Sequence, residues 1–358
     1  MKFIKGLTLN EKYYHEVVAP LVQQFDPQLT YTSSLLGYGS DVLGFDTATS
    51  MDHNWGPRLQ IFLDESDLHR KKELDAFLSA NLPVTFMGLP TNFAANPGDP
   101  IRRMAPATGP PVNHLIEIYS IDAFVLSILG KPLDELTLLD WVRIPEQVLL
   151  EATAGKVFHD GLRILTPLRE RLSYYPLDVQ KLKIAALWQG IANEEAFLGR
   201  CIEHADYAGV KLISARIINQ LMKICFGIQK RYIPYSKWFT AMFKTLGLSA
   251  IDQLITEVLR ENDPMLIEEK VASLYREVIT LNNTSDELPQ ITNTVRDYYN
   301  RPYKVVMAGE IATCFVGDIA NSTIKKLDLL SVFIDNKIDA ADFTDARPLI
   351  HRMVGPQP

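Results

Sequence analysis

GSDVLGFDTATSMDHNWGPRLQIFL, residues Gly39–Leu63, joins a glycine-bearing loop to a strand-like run. Leu29–Leu36 before it is β-prone and leads into Gly37-Tyr38-Gly39-Ser40, while Arg58–Leu63 at its end reads as a second strand. Gly39 lets the backbone approach a phosphate closely. The Ser40 hydroxyl, with the amides of a helix expected to begin there, donates to phosphate oxygens. Gly44 reads as a further loop glycine. If the Asp52-His53-Asn54 stretch is extended, Asp52 and Asn54 point to one side and His53 to the other. Two oxygen-bearing side chains beside such a cradle suit a magnesium–nucleotide complex, because Mg2+ takes carboxylate oxygens together with substrate phosphates.

Outward from this stretch, residues Asn10–Gln24 alternate apolar and polar side chains at helical spacing, with Asn10 as N-cap. Asp67–Ala80 reads as a charged helix, Val84–Met87 as a short strand, and Asn92–Val112, rich in Pro, Gly and Asn, as a long loop. His114–Tyr119, HLIEIY, returns to a strand pattern. From Ile121 onward the spacing predicts helices at Ile121–Leu129, Glu146–Thr153, Asp178–Ile191, Asn193–Ala205, Gly209–Ile228, Tyr235–Leu246, Ala250–Arg260, Ile267–Leu281 and Leu288–Tyr299, with short helices after Val305. The fold expected is a small α/β domain over 1–120, a mixed sheet with helices, followed by an all-α helical-bundle domain over 121–358.

The chain has 358 residues, 47% hydrophobic and 22% charged, enough to bury a sizeable core. Its net charge of -7 argues against a surface devoted to nucleic acid. Cys201, Cys225 and Cys314 are isolated, without metal-type spacing, and read as reduced thiols of a cytoplasmic protein. The start, MKFIKGLTLNEKYY, turns polar too early for a secretion signal, and no apolar run is long enough to span a bilayer.

The loop resembles the polymerase-β-like nucleotidyltransferase superfamily, whose motif is Gly-Ser or Gly-Gly followed, about ten residues on, by two acidic residues flanking an apolar one. Here Asp52 lies twelve positions after Ser40. Across nearly its whole length the chain is more similar to domain-of-unknown-function family 4037, nucleotidyltransferase-like with a helical C-terminal half. The stretches GYGSDVLGFD, SMDHNWGPRLQIFL, MGLPTNF, KVFHDG, LSYYPLDV, RYIPYSKW and RPYKV carry that likeness. The resemblance implies a nucleotidyltransferase-fold first domain and transfer of a nucleoside monophosphate from an NTP, ATP foremost, to a hydroxyl. It further implies that Ser40 and nearby amides hold the β/γ-phosphates and that Asp52 binds one of one or two Mg2+ ions. Glu117, on the later strand, then completes the metal site and activates the acceptor hydroxyl.

One position departs from the pattern. Asn54 stands where the superfamily has Asp or Glu, and an amide oxygen brings a metal no negative charge. A catalytically weakened nucleotide-binding regulator, or an antitoxin-like interaction protein on the same fold, is the alternative reading. Farther on, no acidic residue occurs between Asp206 and Asp252, while Lys211, Arg216, Lys223, Lys230, Arg231, Lys237 and Lys244 do. A one-signed stretch suits a polyanion, and Lys230, Arg231 and Lys237 are the candidates to meet phosphates from the helical domain. Interleaved Tyr232, Tyr235, Trp238 and Phe239 also suit RNA, which the acidic remainder disfavours. Asp160, His204 and Asp206 are further candidates for a base.

Overall fold

The computed structural model describes residues 3–95 and 101–332. The chain divides into two compact units, Met1–Glu135 with Val148–Ser173, and Leu136–Gln147 with Tyr174–Pro358. The first unit therefore runs past residue 120 and takes back a later segment.

The first unit opens on α1 (Gly6–Tyr13), a π turn (Tyr14–Val18) and α2 (Ala19–Phe25). Pro20 lacks the N–H that would meet the Glu16 carbonyl, and the helix widens into the π turn just before it. The helix starts at Gly6 and runs straight through Asn10. Asn10 is thus not the N-cap; it is fully buried, donating to the Gly6 carbonyl and accepting the Arg58 amide at 2.7 Å. Then come β1 (Tyr31–Leu35), β2 (Arg58–Leu63), α3 (Lys71–Asn81), β3 (Thr85–Phe86), β4 (Leu89–Pro90), β5 (Phe93–Ala95), β6 (Arg102–Met104), β7 (Leu115–Ser120) and α4 (Ile121–Leu129). The loop expected over Asn92–Val112 holds the β5–β6 hairpin, and its residues 96–100 lie outside the described ones. After α5 (Leu138–Arg143), which belongs to the second unit, α6 (Glu146–Thr153) leads back to β8 (Lys156–Asp160) and α7 (Leu165–Arg171).

The sheet has the order β7-β2-β1-β8, parallel between β2 and β7 and antiparallel elsewhere. Register gives it two unlike faces, since side chains alternate. Leu59, Ile61 and Leu63 of β2 and Ile116 and Ile118 of β7 join Leu9, Tyr13, Val18, Leu74 and Leu78 in the core under α1 and α3. Each such side chain contributes about 1.5–3 kcal/mol by leaving water. The opposite face carries Thr32 and Ser34 of β1, Arg58 and Gln60 of β2 and Glu117 of β7. Phe62, Tyr119 and Phe124 close one end in mutual edge and stacked contacts.

The second unit continues with α8 (Leu177–Ala192), α9 (Glu195–Glu203), α10 (Tyr207–Ile228), α11 (Ser236–Lys244), α12 (Ser249–Arg260) and α13 (Pro264–Asn282). A hairpin of β9 (Arg296–Tyr298) and β10 (Arg301–Val305) precedes α14 (Ala308–Gly317) and α15 (Leu329–Val332). Helix α8 is buried almost all round, from Val179 to Trp188. Its two buried lysines find acids within the unit: Lys181 meets Asp318 at 2.6 Å and Lys183 lies 3.9 Å from Glu146. No helix forms over Leu288–Tyr299. Asn282 and Asn283 reach the carbonyls of Pro289 and Ile291, and Asn283 accepts the Ile291 amide, which fixes an extended path where the periodicity suggested a helix. The end of the chain from residue 333 lies outside the described residues.

Candidate functional site

The motif loop follows β1 without forming a helix. Residues 37–44 are bends and turns, and the sequence-expected helix at Gly39-Ser40 is absent. Gly37, Gly39 and Gly44 take φ of +92°, +128° and +75°, a backbone only glycine adopts freely. The amides of Leu43, Phe45 and Asp46 turn back onto the carbonyls of Gly39 and Ser40, and that of Gly44 onto Asp41. Those of Ser40, Asp41 and Val42, the first of the turn, meet no acceptor among the described residues. A single turn thus leaves three successive amides without an internal acceptor where a helix start was expected.

The loop is held at several points. Asp41 is buried and takes a two-pronged ion pair from Arg58, Nε to Oδ2 at 3.1 Å and Nη2 to Oδ1 at 3.0 Å. Burial works against the Arg58 charge, but Asp41 and Tyr38 outweigh it and hold the guanidinium above its ordinary pKa. Arg58 Nη2 also donates to the Tyr38 carbonyl, and the guanidinium lies 5.8 Å from the centre of the Tyr38 ring. Asp46, fully buried, accepts from the Gly6 amide at 2.7 Å and from Trp55 Nε1 at 3.0 Å, with Lys5 3.5 Å away. Trp55 is accordingly a buried packing residue, stacked on Phe3.

Glu117 shares the polar face of the sheet with these groups. Its register partner on β2 is Gln60, whose Nε2 lies 3.4 Å from Glu117 Oε2. Gln60 is fixed in turn by the Leu36 backbone: its Oε1 accepts the Leu36 amide at 2.9 Å and its Nε2 donates to the carbonyl at 3.3 Å. Arg58 and Tyr38 both feel the Glu117 charge, as does Tyr119, whose hydroxyl is driven to a raised pKa by burial first and by Glu117 second. The exposed Glu117 carboxylate and the loop at Gly39-Ser40 therefore belong to one cluster, through Tyr38, Arg58 and Gln60.

Asp52 and Asn54 do not share one side of a strand. Thr47 and Ser50 form a reciprocal capping box that winds Ala48–Asp52 into a 3-10 turn, and Asp52 ends it. Asp52 Oδ1 meets His53 Nδ1 at 2.9 Å, both side chains more than half exposed. Asn54 then enters the left-handed region at φ +46° and pairs with Arg102, its amide donating to the Arg102 carbonyl at 2.7 Å and its Oδ1 accepting the Arg102 amide at 2.9 Å. Among the described residues no group of three or more His, Cys, Asp or Glu is placed to hold a metal ion.

Lys230, Arg231 and Lys237 are exposed residues of the second unit. Lys230 pairs with Glu287 at 2.5 Å, and Lys237 lies 5.0 Å over the Trp238 ring. Arg216 pairs with Glu194, and Lys211 donates to the Glu261 carbonyl. The stretch is one-signed in sequence and mixed in space, because Glu194 and Glu287 reach it from turns elsewhere in the unit. Asp206 caps α10 through the Gly209 amide, and His204 ends α9. Asp160 opposes β1: burial raises its pKa, but bonds from Thr166 and Thr32 prevail and hold it below the usual carboxylate range.

Sequence reasoning passed over Asp41, Asp46, Arg58 and Gln60. A signal was there: Arg58 and Gln60 are polar residues two apart in a run otherwise apolar, and so share one face of a buried strand. Asp41 directly follows Gly39-Ser40.

Residues 141–239 match the model of a domain of unknown function, DUF4037. The span takes in KVFHDG, LSYYPLDV and RYIPYSKW, while the Gly39–Leu63 loop lies before it. No curated protein matches the chain. One solved structure that does is described as a nucleotidyltransferase-like protein from Exiguobacterium sibiricum 255-15, at 8% identity and a TM-score of 0.32, covering 76% of this chain and 77% of that one. Backbones that diverge this far say nothing about a shared site. Among the described residues no helix is long and apolar enough to cross a membrane.

Proposed function

We propose that the first unit of this protein binds a nucleoside triphosphate on the polar face of its sheet and transfers the nucleoside monophosphate to an acceptor hydroxyl. The observation that carries the reading is that Glu117 and the loop before Gly39-Ser40 are linked across one polar sheet face through Gln60, Arg58 and Tyr38. Amides of Ser40, Asp41 and Val42 and the Ser40 hydroxyl suit the outer phosphates. Glu117, exposed and oriented by Gln60, suits the role of base: the acceptor oxygen bonds to the α-phosphorus, its proton passes to Glu117, and the bond to the leaving pyrophosphate breaks.

Mg2+ supplies charge neutralisation at phosphate oxygens in such reactions. The donors present do not make a preformed ion site, because Asn54 Oδ1 is taken by the Arg102 amide and no three-ligand group exists among the described residues. The reading therefore assigns Mg2+ to the incoming nucleotide and routes no step through the ion. Titration calorimetry with ATP and the other three NTPs, with and without Mg2+, tests binding; release of pyrophosphate with label transfer from each NTP tests turnover. Absence of binding for all four sinks the proposal. Binding without turnover favours the second reading, a nucleotide-binding regulator, which the occupied Asn54 side chain supports.

A further inference from the structure

Arg58 binds the loop in more ways than a strand residue needs. Its fork grips Asp41 through both Nε and Nη2, and Nη2 also holds the Tyr38 carbonyl. Its ring contact at 5.8 Å takes the Tyr38 side chain as well. Between these attachments runs Gly39, pressed so close that an added Cβ would lie 2.3 Å from Asp41 Oδ1 and 3.0 Å from Arg58 Nη2. Arg58 is anchored from behind, since its own amide is taken by Asn10, and α1 lies so near at Gly6 that an added Cβ there would be 2.5 Å from the Asp41 Cβ.

Stability alone does not account for such a pair. Both side chains are below one-tenth exposed, and burying two charges costs most of what their attraction returns; a packed apolar pair commonly does as well. What the pair supplies that apolar packing lacks is a fixed direction. A planar fork sets where Asp41 and the Tyr38 carbonyl sit, and those two residues flank the Gly39-Ser40 peptide.

We propose that Arg58 and Asp41 form a clamp that positions the Gly39-Ser40 turn for an anionic ligand, so that Arg58 is a positioning residue acting through the loop rather than a ligand of the phosphates. The clamp rests on the nucleotide reading only for the ligand's identity; its effect on the loop is testable without a ligand.

The experiment is hydrogen–deuterium exchange on the full chain without ligand, followed by calorimetry with ATP and with inorganic triphosphate. The variants are Arg58→Lys, Asp41→Asn and Gly39→Ala, which break the clamp from three sides. Arg58→Lys keeps the charge and loses the fork. The expected result is at least tenfold faster exchange for residues 37–46 in all three, unchanged exchange in the second unit, and at least tenfold weaker binding of both ATP and triphosphate. If any one variant fails to fold, the other two carry the comparison. Folded variants with wild-type exchange at 37–46 overturn the clamp. Faster exchange with undiminished binding overturns its role in positioning the site. A wild-type chain that binds neither probe, with variants that still loosen the loop, removes the nucleotide reading and leaves the clamp standing for another anion.

Discussion

Asn54 is the residue whose chemistry the sequence and the structure judge differently. In the motif it is a lost carboxylate; in the fold it is a left-handed corner that closes a two-bond bridge to Arg102. Asparagine and aspartate both tolerate that corner, and either oxygen accepts the Arg102 amide. Asn54→Asp is thus expected to fold with a stability within about 0.5 kcal/mol of wild type. Asn54→Ala, losing the acceptor and straining the corner, should lose about 2 kcal/mol in urea denaturation. If the alanine costs nothing, the bridge is unimportant. Should Asn54→Asp also tighten binding of Mg–ATP, the position is a weakened ligand; unchanged affinity makes it a structural corner only. His114 gives a second prediction at this scale. It is buried, with Nδ1 accepting the Ile116 amide and Nε2 facing the Asp75 carbonyl, and burial foremost lowers its pKa against the opposing pull of Asp75. The folded state therefore resists a proton that the unfolded chain accepts near pH 6.5. Stability should be full above that pH and decline as the pH falls from there towards the lowered folded value. Urea melts at pH 7.5 and 5.5 check it, with His114→Gln expected to flatten the slope.

At the scale of elements, legibility followed the range of the contacts. Helix α4 was readable to its ends, since Ser120 caps it and Gly130 stops it at φ +77°. Strands β1, β2 and β7 showed as apolar or alternating runs bounded by turns. β8 did not: KVFHD alternates weakly, sits between helices, and pairs with β1 across a bulge. Nothing local marks it, because its reason to be a strand is β1, far back in the chain. The same holds for the site. Gly39 and Ser40 were candidates from residue type and spacing and Glu117 from the resemblance, whereas the Arg58–Asp41 and Gln60–Leu36 links needed the register. The 3-10 turn that rotates Asp52 away from Asn54 is set by Thr47 and Ser50, a capping signal inside what read as extended chain. Gly155 tests how tightly β8 is seated. It has φ +75°, and an added Cβ would lie 2.0 Å from the Leu35 carbonyl oxygen, a backbone atom that cannot move aside cheaply. Gly155→Ala should cost about 1–3 kcal/mol, read by chemical denaturation. A neutral result means that β8 is loosely docked.

At the scale of the molecule, the first unit is discontinuous in sequence, which bears on where it can be cut. A fragment of residues 1–120 contains the whole motif loop and three of the four strands of the sheet. It lacks α4, whose Phe124 packs on Phe62 and Tyr119, and it lacks β8. Without β8, Thr32 loses its bond to Asp160, the Tyr31 carbonyl loses the Gly161 amide, and the Gly37 amide loses the Glu151 carbonyl at the foot of the motif loop. β1 becomes an exposed edge whose five residues are all buried in the intact unit, the kind of edge that recruits other chains. The fragment 1–120 is therefore expected to aggregate and to show no cooperative urea transition. Residues 1–173, which restore α4, β8 and α7, should give a monomer with one cooperative transition. Size-exclusion chromatography with urea denaturation followed by circular dichroism distinguishes them. Cooperative unfolding of a monomeric 1–120 would mean that the motif loop and its strands fold without their returning segment, and that the fourth strand trims the sheet's edge without being needed to form it.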